Sequence, residues 1–215
     1  MTRTITKRTY DSSSRRRAAE ATRLSILDAA RRMFLEKGYA ATTMPAIAQA
    51  AGIALDTVYA AVGKKPSLFR LLIETAISGS ERAVPAEERD YVRAIREETH
   101  ADQKLRIYAA ALRSIQMRLA PLIRVLEGAA PHDPDLRKLW QGIARRRARN
   151  MRLLAQNLAA TGRLRSDLSV GKTADIIWSM NSPEFYLLLV GQRGWSPKEF
   201  ERWLGDAWIR LLLKS

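Results

Sequence analysis

The sequence predicts an all-α protein. Apolar residues recur at intervals of three and four along nearly the whole chain, as they do on the buried face of an amphipathic helix. Few β-branched residues alternate with polar ones as a strand would require. Helix boundaries are marked by Gly, by Pro and by capping residues such as Thr43 and Ser196. With 215 residues, 47% of them hydrophobic, the chain can form one large or two small domains.

Glycine and proline divide the first part of the chain into four predicted helices. The first covers residues 15–37, and residues 43–61 form two short helices with a turn at Gly52. Pro66 opens the fourth helix. Two short helices joined in this way cross steeply and need a third helix to bury their apolar faces. This is the arrangement of a helix-turn-helix domain, whose second helix enters the major groove of DNA.

Beyond this domain the predicted helices are longer. Pro85 and the charged residues 87–89 indicate a junction. Pro121 is predicted to interrupt the helix that begins near Asp102, because proline removes a helical hydrogen bond and its ring clashes with the preceding turn. An N-terminal three-helix domain is therefore expected to be followed by a C-terminal helical domain.

Capping residues predict three further helices. Asp133 precedes a proline and is expected to cap a long helix. Ser169 is expected to cap the next helix, which reaches about residue 192 with a kink at Pro183. The last helix begins at a capping box in residues 196–199, where a serine and a glutamate satisfy each other's backbone N–H groups.

Charge and composition exclude several classes of function. The 37 Lys and Arg against 22 Asp and Glu give a net charge of +15, which favours a polyanion as partner: nucleic acid, an anionic membrane or an acidic protein. With no Cys and only two His, cysteine-based zinc sites, thiol catalysis and His-rich metal sites are excluded, and no metal or cofactor is expected. No catalytic motif is present, so an enzyme is not expected. No apolar export or membrane segment is found, which favours a cytoplasmic protein.

The first 17 residues are expected to form a basic flexible arm. This segment contains six cationic residues and only one acidic residue, Asp11. Such an arm neutralises phosphates or enters a minor groove, although a solvated tail would have the same composition. The cations are Arg3, Lys7, Arg8, Arg15, Arg16 and Arg17.

Residues 26–77 resemble the DNA-binding domain of the TetR, or tetracycline-repressor-like, family of bacterial transcriptional regulators. The resemblance rests jointly on residue types and on their spacing. The matching residues are Ile26-Leu27-Asp28-Ala29-Ala30, Phe34, Gly38-Tyr39, Thr42-Thr43-Met44, Ile47-Ala48, Ala51-Gly52-Ile53, Thr57-Val58-Tyr59, Lys65 and Leu68-Phe69.

The C-terminal part resembles a common type of regulatory domain in the same family. The matching residues are Gly162-Arg163-Leu164-Arg165, Ala174-Asp175, Ser182-Pro183-Glu184 and Gly194-Trp195-Ser196-Pro197. The resemblance implies a helix-turn-helix DNA-binding domain over residues 18–80 and a ligand-binding and dimerisation domain over residues 81–215.

Three positions depart from the family pattern. Val62 stands where an aromatic residue is usual, Ala54 where a polar residue is usual and Pro45 where a polar or basic residue is frequent. Ala54 cannot cap its helix, which costs about 1 kcal/mol. These departures favour an alternative in which sequence-specific DNA recognition has been lost.

The resemblance assigns phosphate contacts to Tyr59 and Lys65. A Tyr hydroxyl donates to a phosphate oxygen, and a Lys ammonium provides a point charge. Thr43 is expected to cap its helix and to touch a phosphate as well. Alternatively, Tyr59 packs under the recognition helix and Thr43 only caps.

Base contacts are expected from Leu55, Asp56 and Thr57, on the first turn of the recognition helix. Leu55 is suited to a thymine methyl group and Asp56 to the amino group of cytosine. Alternatively, the Asp56 carboxylate only stabilises the positive end of the helix dipole.

Dimerisation is expected at the last two helices, which resemble the pair that builds a four-helix bundle between two subunits in this family. An ordinary core within one chain is the alternative. The candidate residues are Trp178, Leu187, Trp203, Trp208 and Leu211.

A ligand site is expected around Arg147, which falls within the apolar stripe of the long middle helix. An unpaired buried guanidinium is costly, so Arg147 requires an anion. That anion is either a bound ligand or the carboxylate of Asp175 or Glu184; alternatively, Arg147 reaches the surface. The remaining candidate ligand-binding residues are Tyr108, Leu112, Gln116, Trp140 and Trp178.

The resemblance thus implies a ligand-responsive repressor that binds a near-palindromic double-stranded DNA operator as a homodimer and responds to an unidentified small-molecule effector. Two alternatives within DNA-binding proteins are an activator and a ligand-independent regulator. A third is a non-catalytic binder of small molecules or proteins with degraded DNA recognition.

Overall fold

The computed structural model describes residues 12–214, and within that range every regular element is helical. The only β-type pairing there is an isolated bridge between Leu164 and Leu213. The helices are α1 (Ser12–Ala41), α2 (Met44–Ala51), α3 (Leu55–Val62), α4 (Lys65–Ser78), a 3₁₀ turn (Ala86–Glu88), α5 (Asp90–Glu97), α6 (Ala101–Ala129), α7 (Pro134–Ala159), α8 (Val170–Met180), α9 (Pro183–Tyr186), a π-helical turn (Leu187–Gln192) and α10 (Pro197–Leu212). The predicted all-α class is confirmed.

The helix-turn-helix forms where the sequence predicts it. Gly52 adopts the left-handed conformation (φ 68°, ψ 30°), and the chain bends by 103° between α2 and α3. The Thr43 hydroxyl accepts a hydrogen bond from the backbone N–H of Ala46, so Thr43 caps α2 as predicted. Ile47 and Val58 are fully buried against α1 and α4 and join the two short helices to the rest of the domain.

The predicted basic arm, residues 1–17, falls partly outside the described residues. Residues 1–11 lie outside the described residues, whereas α1 already begins at Ser12. The three cations Arg15, Arg16 and Arg17 therefore lie on exposed turns at the start of a helix and not in an irregular arm.

Pro121 does not interrupt its helix, and that prediction is wrong. The helix α6 runs unbroken from Ala101 to Ala129. Pro121 removes the helical donor to the carbonyl of Met117, four residues earlier, while the next carbonyl, that of Arg118, accepts a hydrogen bond from the side chain of Arg31 at 3.0 Å. Burial of the neighbouring Ala120, Leu122 and other apolar residues of α6 offsets the cost of the missing helical donor.

The expected single helix over residues 170–192 is also wrong, because the chain breaks at Asn181. Ser182 caps a new short helix by accepting from the backbone N–H of Phe185 at 3.0 Å, and Pro183 takes its first position. Proline therefore starts a helix here, where its missing N–H costs nothing, and does not kink an existing one. The helix α5 was not predicted at all.

Two hydrophobic clusters organise the molecule, and α6 contributes to both. One cluster unites α1–α4 with the second half of α6 and with Leu136 and Leu139 of α7. The other unites the first half of α6 with α5, α8 and α10 around Trp208. The helix-turn-helix is thus packed onto the start of α7, and motion of α7 must disturb that packing. No single helix in residues 12–214 is long and apolar enough to cross a membrane. Among these residues, only α2 and α3 taken together, with the 103° bend between them, have the necessary length and composition.

We expect Thr42→Val to destabilise the protein. Thr42 is completely buried, and its hydroxyl lies 2.8 Å from the carbonyl oxygen of Gly38 and 3.1 Å from that of Met33. The isosteric valine leaves these carbonyls without that donor, so the free energy of unfolding should fall by about 1–3 kcal/mol. Urea denaturation measures it. Thr57→Val, at an exposed position, is the control and should change stability by less than about 0.5 kcal/mol; equal losses in the two variants would contradict the assignment.

Candidate DNA-binding and effector sites

The recognition helix α3 divides cleanly into a buried and an exposed face. Val58 is fully buried and Val62 is 8% exposed, so these two residues fix α3 to the core. Asp56 and Thr57 are exposed on its first turn, where base-contacting residues were predicted. Leu55 is half-buried and packs against the core, so only part of its side chain is available to a base. The valine at position 62 packs into the cluster, although an aromatic residue is usual there.

Tyr59 is presented to solvent. Its side chain is 43% exposed, so it does not pack under the recognition helix, and its hydroxyl is available to a phosphate. Thr43, which is also exposed, lies at the start of α2. Two of the three positions assigned to phosphate contact, Thr43 and Tyr59, therefore lie on the surface of the helix-turn-helix.

Lys65 is more constrained than a surface lysine. It is the first residue of α4, and its ammonium lies 4.2 Å above the centre of the Tyr39 ring and 3.5 Å from the carbonyl oxygen of Ala40. Burial lowers the pKa of Lys65, while the charge of Asp133 acts in the opposite direction. The cation is thus placed by an aromatic ring and not left to sample many rotamers.

A buried polar network lies in the regulatory part of the chain, between α6, α7 and the end of α8. Tyr108 and Gln116 of α6 are 5% and 2% exposed, and Asn181 is 1% exposed. The Asn181 amide nitrogen donates to the Tyr108 hydroxyl at 2.7 Å and approaches the sulfur of Met151 at 2.8 Å. The Gln116 amide nitrogen donates to the backbone carbonyl oxygen of Asn181 at 2.8 Å. Leu112, on the same helix, is buried beside this network.

This network retains polar atoms without a partner. The side-chain carbonyl oxygens of Gln116 and Asn181 are buried and accept no hydrogen bond within the described residues. Two buried donors, Nε of Arg147 and Nε1 of Trp178, likewise have no acceptor within the described residues. Buried polar groups of this kind cost about 1–3 kcal/mol each, so they point to a missing partner. Sequence reasoning missed Asn181, because only the break after α8 reveals its position.

Arg147 stacks on Trp178, with the guanidinium carbon 4.5 Å from the ring centre. Burial lowers the pKa of Arg147, and the charge of Glu184 opposes that shift. Among the described residues no salt bridge joins Arg147 to either carboxylate considered from the sequence, Asp175 or Glu184. Trp178 provides a cation–π contact in their place.

Trp140 does not belong with the other ligand-site candidates. It packs against the cluster that contains the helix-turn-helix and lines a surface groove with Glu127, Pro131 and Arg137. Trp140 and Arg147 are seven positions apart and so share one side of α7, but they lie about two helical turns apart along it, and between them α7 passes from one hydrophobic cluster to the other.

The predicted dimerisation residues also divide into two sets. Trp203 and Leu211 of α10 are 40% and 44% exposed, and the neighbouring Leu188 is 50% exposed. Leu187 is half-buried. Trp208, in contrast, is completely buried and stacks on Tyr108 at 5.4 Å, so its assignment to the subunit interface is wrong. Five positions along an α-helix from Trp203, Trp208 points to a different side of α10.

Capping α3 is expected to stabilise the recognition helix. Ala54 is exposed, extended (φ −61°, ψ 140°) and offers no side-chain hydrogen bond to the first turn. Ala54→Ser should raise the free energy of unfolding by about 1 kcal/mol, whereas Ala54→Val, which offers no oxygen to the first turn, should not raise it. Thermal and urea unfolding measure the effect; a serine variant no more stable than the valine variant would show that another group already satisfies these N–H groups.

Comparison with known proteins assigns the N-terminal segment to a family. Residues 26–72 match the bacterial regulatory proteins of the tetR family. No curated protein matches the sequence.

Solved structures resemble the whole chain. NalD, the secondary repressor of the MexAB-OprM multidrug efflux pump in Pseudomonas aeruginosa, is 22% identical, with a TM-score of 0.69 over 93% of this chain and 99% of NalD. A protein of Saccharomonospora viridis in complex with choline is 17% identical (TM-score 0.67, 90% and 98% covered). SmeT in complex with triclosan is 20% identical (TM-score 0.64, 91% and 93% covered). At these identities the likeness establishes a common fold. The family match is confined to residues 26–72, and the fold that the chain shares with these structures covers about nine-tenths of it.

Proposed function

We propose that this protein is a repressor that binds a near-palindromic DNA operator as a homodimer in the bacterial cytoplasm and releases it when a small molecule binds. The observation that carries the proposal is the exposed surface of the helix-turn-helix. It presents Asp56 and Thr57 on the first turn of α3, with Thr43, Tyr59 and Lys65 around them. No catalytic role is proposed for any residue.

The exposed residues suit separate tasks at a DNA surface. Tyr59, Lys65 and Thr43 contact phosphates and set the register, while the first turn of α3 reads base edges in the major groove. In a dimer the two recognition helices lie about 34–36 Å apart and reach successive turns of the duplex. The net charge of +15 draws the protein to DNA and makes its affinity depend on salt.

Variants of α3 and α4 should separate affinity from specificity. Lys65→Ala and Tyr59→Phe each remove one phosphate contact, so they should weaken binding to all duplexes alike, by roughly tenfold. Asp56→Ala should instead change the preferred bases. Gel shifts on a panel of related duplexes measure both quantities. If Lys65→Ala changed the preference and left the affinity intact, the assignment would be refuted.

The subunit interface is proposed at the exposed apolar residues of α10 and the preceding π-helical turn. Leu188, Trp203 and Leu211 are large hydrophobic side chains that a monomer would leave in water. Pairing the two terminal helices of each subunit in a four-helix bundle would bury them.

A charge introduced at this surface should dissociate the dimer. Leu211→Glu places a carboxylate within the proposed apolar interface, so sedimentation should show a monomer with unchanged helix content. Leu153→Glu is the matched control, since Leu153 is also exposed (55%) but lies on α7. A dimer that survives Leu211→Glu, or that Leu153→Glu disrupts instead, would place the interface elsewhere.

The effector site is proposed at the buried polar network of Tyr108, Gln116 and Arg147. Unpartnered acceptors on Gln116 and Asn181 call for a ligand that donates hydrogen bonds. The guanidinium on Trp178 calls for an acidic hydroxyl or a carboxylate. A phenol, the class to which triclosan in the SmeT complex belongs, meets both requirements. A cation such as the choline of the Saccharomonospora viridis complex would meet a like charge.

An effector at this site would act by shifting populations. The network involves α6 and α7, and both helices also pack on the helix-turn-helix. A ligand that favours a different arrangement of these helices lowers the population of dimers whose two recognition helices have the spacing that DNA requires. Ligand and DNA must then weaken each other's binding by the same factor.

The role of Arg147 can be tested with chosen probes. A panel of phenols and aromatic carboxylates, with benzylamine as a cationic counterpart, is titrated while tryptophan fluorescence is followed, to which Trp178 contributes as one of five tryptophans. Arg147→Gln should weaken anion binding by roughly ten- to a hundredfold, because it removes a charged hydrogen-bond donor. Arg149→Gln, which alters an exposed arginine on the same helix, should bind like the parent. Identical affinities in parent and Arg147→Gln would exclude Arg147 from the site.

A further inference from the structure

The side chain of Arg118, on α6, holds the end of α4. Its Nε donates to the backbone carbonyl oxygen of Ala76 at 3.0 Å. Ala76 lies in the last turn of α4, which ends at Ser78, so its carbonyl has no donor within that helix. The guanidinium therefore acts as a C-terminal cap supplied by another helix, and its charge stabilises the negative end of the α4 dipole.

The backbone of Arg118 holds α1 as well. Its carbonyl oxygen accepts a hydrogen bond from Nη2 of Arg31 at 3.0 Å. Among the described residues no carboxylate forms a salt bridge with Arg118, so no ion pair competes for its guanidinium. One residue of α6 is thus bonded to both α1 and α4, the two helices that flank α2 and α3 in the DNA-binding domain.

Gly79 leaves the space that the Arg118 guanidinium occupies. It directly follows α4 in the left-handed conformation (φ 70°, ψ 21°), and its N–H donates to the carbonyl oxygen of Thr75 at 2.8 Å. A Cβ atom at this position would lie 2.6 Å from Nη2 of Arg118 and 3.0 Å from its Cζ, well inside the usual contact distance of about 3.5–4.0 Å. The missing side chain of Gly79 therefore serves both the backbone conformation and the contact between Arg118 and α4.

We propose that Arg118 is a positioning residue, which fixes α1 and α4 on α6 and thereby sets the orientation of the helix-turn-helix relative to the regulatory part of the chain. Ile115, Leu119 and Leu122 of α6 pack in the same cluster, but apolar contacts have no preferred direction. The hydrogen bonds of Arg118 are directional, so they select one arrangement of the three helices. A dimer that reads two half-sites needs this orientation in both subunits. That consequence rests on the proposed function, whereas the arrangement of the helices does not.

Two substitutions remove the contact, one from each side. Arg118→Met keeps an unbranched side chain with good helix propensity and loses the charge and every donor. Gly79→Ala keeps Arg118 but places a methyl group where its guanidinium lies.

Each substitution has a matched control. Arg124→Met removes an exposed arginine from the same helix as Arg118. Gly162→Ala strains a backbone that also has a φ of 70°, but an added Cβ at Gly162 meets no described atom within 4 Å.

The test measures a distance within one chain. The chain has no cysteine, so Gln49→Cys on α2 and Arg152→Cys on α7, both exposed, accept a pair of spin labels. Doubly labelled protein is diluted into unlabelled protein, so that pulsed electron resonance reports one chain even in a dimer. Circular dichroism verifies that each variant is folded.

We expect a single narrow distance in the parent and in both controls. In Arg118→Met and in Gly79→Ala a second population should appear, with its share relative to the first raised by about tenfold, because a hydrogen bond from a charged donor is lost. Distributions equal to that of the parent in both variants would overturn the proposal. If Arg118→Met fails to fold, the comparison of Gly79→Ala with Gly162→Ala decides it.

The double variant Arg118→Met/Gly79→Ala separates this contact from backbone strain. If both substitutions act on one contact, the double variant should have the distance distribution of Arg118→Met, because the added methyl group no longer meets a guanidinium. A second population that grows by a further tenfold would show independent effects and contradict the proposal. Duplex binding by the parent is measured separately: its absence would refute the proposed function and leave the distance comparison valid.

Discussion

The structure depends on the burial of α6 along its whole length. Residues from Ala101 to Leu126 of this helix are buried in two successive hydrophobic clusters, one with α5, α8 and α10 and the other with the DNA-binding helices. A helix that belongs to both cores must keep its register through both. This requirement accounts for the unbroken passage of α6 through Pro121, and it makes each core sensitive to the position of the other.

Polar groups in this molecule follow two different rules. At five helix starts a side-chain oxygen caps the backbone: these caps are Thr43, Asp133, Ser169, Ser182 and Ser196. Inside the regulatory part, in contrast, Gln116 and Asn181 keep buried oxygens without a donor, and a guanidinium rests on an indole. The caps stabilise the fold. The unpaired buried groups cost free energy, and a molecule that forms hydrogen bonds with them would regain it.

Local signals were sufficient for the first domain and for the helix caps. Gly52, Thr43 and the box formed by Ser196 and Glu199 act within a few residues, so their roles were evident from the sequence. The long-range features were not. Pro121 stays within α6 because the helix is buried on both sides of it, Trp208 turns towards Tyr108 and not towards a second subunit, and Asn181 meets Gln116 only because the chain breaks beside it. Periodicity places a residue on a face of its helix, but it does not say which neighbour that face meets.

Recognition of a specific DNA sequence by the exposed face of α3 can be tested by selecting bound duplexes from a random pool with the purified protein. We expect a palindromic consensus with half-sites about one helical turn apart, and we expect the selected duplexes to stay bound at salt concentrations that abolish non-specific binding. Recovery of duplexes with no consensus, bound only through their phosphates at low salt, would contradict it.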